Sequence, residues 1–292
     1  MWVIFNVMIN EGRSPWTTVI TPKKGWFELN FREIWAYRDL ISIFVRRDIV
    51  AIYKQTILGP VWFLFGPLFT VFSYTFIFSE VAHLSTDGLP GPLFYLAGTT
   101  LWGYFQTCFN GASFTFQSNA GIFGKVYFPR LVSPISMIIS NLLKFIFQLV
   151  VFFIFLGYYT FQKDSIISIN KFACFSPIVI VLLGLMALGS GIIVSTFTTK
   201  YRDLTMLIGV FLTVLMYATP IMYPASAIPE LYKPFLVWNP ISPLIEVFRY
   251  GFTGKGIVNW FGLLYSALFT FVILLIGIVL FNRTEKTFMD TV

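Results

Sequence analysis

Charge is scarce in this chain. Of 292 residues only 11% are Asp, Glu, Lys or Arg while 57% are hydrophobic, and the mean hydropathy is +0.78. Soluble domains carry about 25% charged residues, so that class is excluded and an integral membrane protein is implied. Histidine occurs once, as His83, which leaves no basis for a His-centred triad or a proton shuttle. Glu80, His83 and Asp87 share a loop and have metal-binding side chains; a solvated loop is the simpler reading, and no metal is expected. The two cysteines, Cys108 and Cys174, sit in or beside apolar segments without metal-type spacing, so neither a disulfide framework nor a zinc site is indicated. Both read as small buried hydrophobes. No basic patch is interleaved with stacking aromatics, so the net charge of +7 does not call for nucleic acid. Neither "GIFGKV" nor "GFTGKG" has the spacing or the following Ser or Thr of a phosphate-cradling loop, so the chain cannot hydrolyse ATP by itself. The start, "MWVIFNVMINEGR", lacks a basic leader, and retention on the mature chain is expected.

What the chain has in abundance is long apolar runs. A membrane-crossing helix needs about 20 mostly apolar residues, and six stretches qualify: Leu58 to Ser79, Leu93 to Gln117, Ile135 to Phe161, Phe172 to Thr198, Leu204 to Tyr223 and Val258 to Phe281. Lys and Arg collect on alternate sides of these runs. Eight precede the first run, and with the two loops and tail on the same side they make fourteen, against five on the other side. The positive-inside rule then puts both termini in the cytoplasm. The fold expected is all-α: one transmembrane domain over 1–292, its six-span bundle at 58–281 and a cytoplasmic tail at 282–292.

The remaining segments are also patterned. Over 27–55 a helical winding gathers Ile34, Tyr37, Ile41, Phe44, Val45 and Ile52 on one side and Arg32, Glu33, Asp39, Arg46, Arg47 and Lys54 mostly on the other, the pattern of an amphipathic helix in the membrane interface touching lipid headgroups. Between the second and third spans, "NAGIFGKVYFPRLVSP" is too short and broken to cross; it forms either an exposed apolar knob or a loop tucked against its own bundle. Between the fifth and sixth, "TPIMYPASAIPELYKPFLVWNPISPLIEVFRYGFTGKG" is long, apolar and proline-broken. Two short re-entrant helices dipping into the outer leaflet are expected, and such backbone needs protein or a wet cavity around it. "GLMALGSGIIVS" in the fourth span supplies small surfaces for close helix packing. Lys144 is the one clear charge within the spans, and snorkelling to the interface is the favoured reading. Intramembrane carboxylates of the kind an ion-coupled carrier uses are missing, so driving energy must come from elsewhere or the protein is passive.

Several separated stretches resemble one family. "LNFREIWAYRDLISIFVRRDIVAIYKQTILGPVWFLFGPL", "FGKVYFPRLVSPIS", "TKYRDL", "TPIMYP", "WNPISPLIEVFRYGF" and "EKTFMDTV" are together similar, in order and over nearly the whole chain, to ABC-2 type permeases that export O-antigen polysaccharides and teichoic acids. The resemblance implies a homodimer in the bacterial inner membrane, joined to two copies of a separate ATPase subunit that carries the ATP and Mg. It also implies export of an undecaprenyl-diphosphate-linked glycan, and no bound cofactor or catalytic residue in this chain. In such permeases the second-to-third and fourth-to-fifth loops seat the ATPase. Here these are Ile122, Phe123, Lys125, Val126, Tyr127, Phe128 and Arg130, with Lys200, Tyr201, Arg202 and Asp203. Charged turns suit docking because ion pairs set register.

A glycan needs a wet path, since each hydroxyl stranded in hydrocarbon costs several kcal/mol. Aromatic walls fit sugar C–H faces, and Phe65, Phe69, Tyr104, Phe105, Phe109, Phe211 and Tyr217 are the candidates, with plain space-filling as the competing reading. Arg46, Arg47 and Lys54 are the candidates for the carrier's pyrophosphate, because guanidinium forks suit phosphate; anionic bulk lipid competes for them. A teichoic acid permease, a self-contained lipid-linked sugar flippase and a membrane-embedded transferase are the alternatives. The transferase lacks a polar constellation, and the flippase lacks an internal repeat.

Overall fold

The computed structural model describes residues 31–54, 61–123, 125–126, 128–162, 167–201 and 203–288. Residues 1–30, the end of the expected 27–55 helix, Tyr127, Arg202 and the last four residues of the tail lie outside the described residues. No strand occurs among those described. In chain order the helices are α1 (Phe31–Ala36), α2 (Arg38–Lys54), α3 (Trp62–Tyr74), α4 (Gly91–Ser113), α5 (Thr115–Phe123), α6 (Val132–Thr160), α7 (Ser176–Lys200), α8 (Leu204–Tyr217), α9 (Lys233–Trp238), α10 (Ser242–Thr253) and α11 (Trp260–Phe288). A π-helical segment, Thr75–Val81, extends α3, and a 3₁₀ turn, Lys171–Phe175, leads into α7.

Each of the six apolar runs holds a helix, and four of these are long and apolar enough to cross a membrane: Leu64–Val81, Val132–Thr160, Lys171–Thr198 and Trp260–Thr284. The other two depart for separate reasons. α4 has 23 residues, ample length, but includes Gly, Thr, Gln and Asn. It can be less apolar because it is wrapped by protein: Leu93, Phe94, Tyr95, Leu96 and Ala97 are consecutive and all buried. α8 has only 14 residues, a rise of about 21 Å against a hydrocarbon thickness of about 30 Å.

α7 is the central helix, packed most extensively on α11 and α4. Its small residues set those distances. A Cβ on Gly189 would stand 2.9 Å from the backbone of Leu274, and one on Gly277 would stand 2.7 Å from the Gly189 carbonyl. On the opposite face a Cβ on Gly191 would meet the Phe109 carbonyl at 2.8 Å. The close packing expected of "GLMALGSGIIVS" is therefore present, and backbone neighbours leave little room for any larger side chain.

Proline places the starts of helices. α4, α7, α9 and α10 each carry one in the first turn, where the missing N–H would have had no partner. The long proline-broken segment between the fifth and sixth runs thus contains two short α-helices, α9 and α10, joined by turns, as its proline pattern predicts. One expectation fails: Cys108 is buried but Cys174 is exposed, because it lies in the 3₁₀ turn ahead of α7 rather than inside the bundle.

Candidate functional site

The amphipathic helix α2 lies along α6, and its apolar face is turned to protein as well as outward. Phe44 is buried in a cluster with Phe116, Phe123, Phe128, Val132, Leu188, Ile192 and Phe281, and Tyr37, Leu40 and Ile41 pack at its edge. Ring centroids of Phe44 and Phe128 are 5.7 Å apart, edge to face, and those of Phe123 and Phe128 are 5.6 Å apart. The apolar knob read from "GIFGKVYFP" is accordingly turned inward. Phe123 and Phe128 belong to the cluster, Ile122 is half-buried, and Gly121, Lys125 and Val126 are exposed. A short apolar stretch beside a bundle gains more by joining a core than by facing water. Arg130 lies over the Phe123 ring at 5.4 Å.

The two loop segments expected to seat an ATPase are neighbours. Gln117 Nε2 donates to the Thr198 carbonyl at 3.2 Å, and Thr198 Oγ1 donates to the Ser113 carbonyl at 3.2 Å, tying the end of α7 to the α4–α5 junction. Asn119 Nδ2 donates to Ser133 Oγ at 2.8 Å, closing the loop that carries Lys125 and Val126. At the end of α7, Lys200 and the Tyr201 that follows it are exposed, with the ammonium 5.3 Å from the ring centroid. Asp203 caps α8, its Oδ1 accepting from the Leu204 N–H at 3.1 Å. Its charge thus has a structural task besides any docking role.

The cations of α2 are not equivalent. Arg47 donates twice to Asp48 Oδ1, at 2.8 and 3.0 Å, and its guanidinium carbon lies 4.7 Å from the Phe44 ring centroid. Arg46 and Lys54 are exposed. Asp48 also accepts from Ser140 Oγ on α6 at 3.4 Å, and its charge acts on Lys144, whose ammonium donates to Asn141 Oδ1 at 3.0 Å. Lys144 therefore lies within the field of α2.

The aromatic candidates divide. Tyr104, Phe105 and Phe109 are almost fully buried within the chain, Tyr104 lying 4.8 Å from Phe145 by ring centroids and tight against Gly184. They fill the core, on no surface that a passing molecule could touch in this arrangement. Phe65 and Phe69 on α3, and Phe211 and Tyr217 on α8, are all more than half exposed.

Sequence reasoning missed a second polar centre. Arg249 on α10 is 1% exposed, the largest fully buried side chain among the described residues, and its Nη1 donates to Glu246 Oε1 at 2.7 Å. Nη2 donates to the Pro220 carbonyl at 2.8 Å, and the guanidinium lies 4.0 Å from the Phe94 ring centroid on α4. Glu246 Oε2 accepts from the Ile257 N–H at 3.1 Å. One pair thus ties α4, the turn after α8, α10 and the lead into α11. Burial acts against both charges, pushing the Glu246 carboxyl above its ordinary range and Arg249 below its own, while their mutual attraction opposes each shift. Asn239 reinforces the same region, donating to Thr219 Oγ1 at 2.8 Å and accepting from the Ile241 N–H at 3.0 Å. The signal was available: a carboxylate and a guanidinium three residues apart in "EVFR", inside an otherwise apolar stretch, share one helix face.

Comparison with known proteins places this geometry. The ABC-2 type transporter family matches residues 39–253. An O-antigen export system permease protein RfbA from Klebsiella pneumoniae is 27% identical over 252 residues, covering 86% of this chain and 94% of that protein. A protein of the same name from Myxococcus xanthus is 25% identical over 75% of this chain and 82% of its own length. The polysialic acid transport protein KpsM of Escherichia coli is 26% identical over 84% and 93%.

Proposed function

From the premise that the chain belongs to the ABC-2 type transporter family, we propose that it is the permease subunit of an ATP-driven exporter of O-antigen-like polysaccharide. The observation that carries this reading is the similarity to O-antigen export permeases along 86% of the chain, joined to a membrane-embedded helical fold without a nucleotide-binding motif of its own. In this reading the substrate is held on undecaprenyl diphosphate and moves from cytoplasm to periplasm across the bacterial inner membrane. Both termini are cytoplasmic. All six runs span the bilayer, α4 inside the bundle and α8 with the turn that follows it, while α9 and α10 re-enter from the periplasmic side.

The unit is a homodimer with two copies of a separate ATPase. Exposed aromatic faces on α3 and α8 support this, since Phe65, Phe69, Phe211 and Tyr217 would form a shared wall between two copies, with Tyr104, Phe105 and Phe109 as rigid backing. Lys125, Val126, Lys200 and Tyr201 are the exposed members of the ATPase seat; Phe123, Phe128 and Asp203 shape it from beneath. The carrier's pyrophosphate meets the cationic side of α2, where Lys54 is exposed and Arg47 is already neutralised in part by Asp48; Arg46, the third cation there, is also exposed. A different polysaccharide is the second reading, favoured by the similarity to polysialic acid transport proteins.

Co-expression with the ATPase encoded beside it, followed by ATP turnover in proteoliposomes, tests the proposal. Turnover should rise when an undecaprenyl-diphosphate-linked O-antigen is supplied. Failure to recover any ATP-binding subunit with the chain would overturn it.

A further inference from the structure

An open cleft of about 330 Å³ runs between α2 and α6, lined by Ile41, Ser42, Val45, Arg46, Ile49, Val50 and Ile139. Its lining is aliphatic apart from Ser42 and Arg46, which contribute one hydroxyl and one guanidinium. Arg46 makes no ion pair or hydrogen bond among the described residues, whereas its neighbour Arg47 is held by Asp48. Ile139 on the far wall is 38% exposed, so the cleft opens sideways out of the chain. An apolar slot at the membrane interface with an unpartnered cation at its mouth is complementary to one kind of molecule, an amphiphile with an anionic head.

We propose that this cleft holds one acyl chain of an anionic bilayer phospholipid, with the headgroup phosphate on the Arg46 guanidinium and Ser42 beside it. The occupant is a resident lipid and not the transported one. Three features argue for that assignment. Five of the seven lining residues are Ile or Val, which suits a hydrocarbon chain. The cation sits where the leaflet's phosphates lie if α2 rests in the interface, and a guanidinium can bind two phosphate oxygens at once. The walls belong to two helices already fixed to each other through Asp48 and Ser140, so the slot is a standing feature that a lipid enters without remodelling it. The assignment divides the cations of α2: Arg46 serves the resident lipid, which leaves Lys54 free for a carrier pyrophosphate. It rests on the membrane placement of the chain and not on which glycan is exported.

Native mass spectrometry of the full-length chain, extracted from nanodiscs made with equal phosphatidylglycerol and phosphatidylcholine of matched chains, tests it. Phosphatidylglycerol should be retained at one molecule per chain in preference to phosphatidylcholine. Arg46→Gln should lower that retention about fivefold, the equivalent of one interfacial cation's contribution of about 1 kcal/mol. Arg46→Lys should restore part of it. Ile139→Trp fills the slot from the α6 side without altering charge and should abolish retention, with an unchanged elution profile confirming that the chain is folded. Equal retention of the two lipids, or retention indifferent to both Arg46→Gln and Ile139→Trp, overturns the proposal. So does one-for-one displacement of phosphatidylglycerol by added undecaprenyl phosphate, which would assign the cleft to the carrier. These readouts need no ATPase, so they can fail while the transport reading stands, and the reverse.

Discussion

Removing the Arg249 side chain should be among the most damaging single changes available outside the glycine crossings. Arg249→Met keeps the length and loses the charge, the Pro220 carbonyl contact and the face-on contact with Phe94. It also leaves Glu246, itself only 4% exposed, with a buried carboxylate and no cation. Breaking one side of a buried pair costs about 3–5 kcal/mol, most of it from the stranded partner. For a chain of this size each kcal/mol moves the melting point by about 2–4 °C, so a fall on the order of 10 °C is expected. If the stranded charge dominates, Glu246→Gln in the same chain should recover much of that loss, although the Pro220 carbonyl stays unpartnered. Arg249→Lys should fall between, because an ammonium cannot reach the carboxylate and the carbonyl with two separate arms of a fork. The measurement is thermal unfolding of the purified full-length chain in detergent, for wild type, both single variants and the double variant. The reasoning is refuted if Arg249→Met melts within about 2 °C of wild type, below the shift of a single kcal/mol. It is refuted equally if the two single losses simply add, which would mean that the residues are not coupled.

Three further outcomes are expected. Gly191→Leu should destabilise by about 3 kcal/mol or more because its Cβ would meet the Phe109 carbonyl, backbone that cannot swing aside; Gly209→Ala, whose Cβ meets nothing within 4 Å, should leave the melting point unchanged or slightly raised. Phe105→Ala should cost about 3–5 kcal/mol as a core truncation, seen as a lower melting point, whereas Phe69→Ala and Phe211→Ala should leave stability within about 0.5 kcal/mol and lower glycan export in a reconstituted assay. Lys200→Glu should weaken recovery of the ATPase subunit in a pull-down without lowering the melting point, while Asp203→Ala should cost about 1 kcal/mol through loss of the α8 cap, with retention of the ATPase read beside it.

Much of the fold is legible because helices in a bilayer must be apolar over a set length, and prolines and glycines punctuate them. The amphipathic face of α2, the proline-marked starts of α9 and α10 and the small-residue packing of α7 all follow from periodicity and side-chain size. α4 and α8 depart from the pattern of a long, wholly apolar helix, each for a reason of context. α4 is sheltered by other helices and tolerates Gln and Asn; α8 ends early, where Ala218 and Thr219 leave the helix to meet Asn239. The site was harder to read. Phe65 and Phe105 are the same side chain at similar places in apolar helices, yet one faces outward and the other fills a core.

Composition and spacing by themselves determined that the chain belongs in a membrane, that it is helical, where its helices begin and which end of each gathers cations. Those properties follow from the cost of moving single residues out of water, a quantity each residue carries with it. Which aromatic rings are surface, which of two adjacent arginines is free, and that Arg249 and Glu246 lie together in the interior were decided only in tertiary structure. Those properties depend on what stands opposite, and the Phe94 ring and the Pro220 carbonyl that receive Arg249 come from positions 155 and 29 residues earlier in the chain.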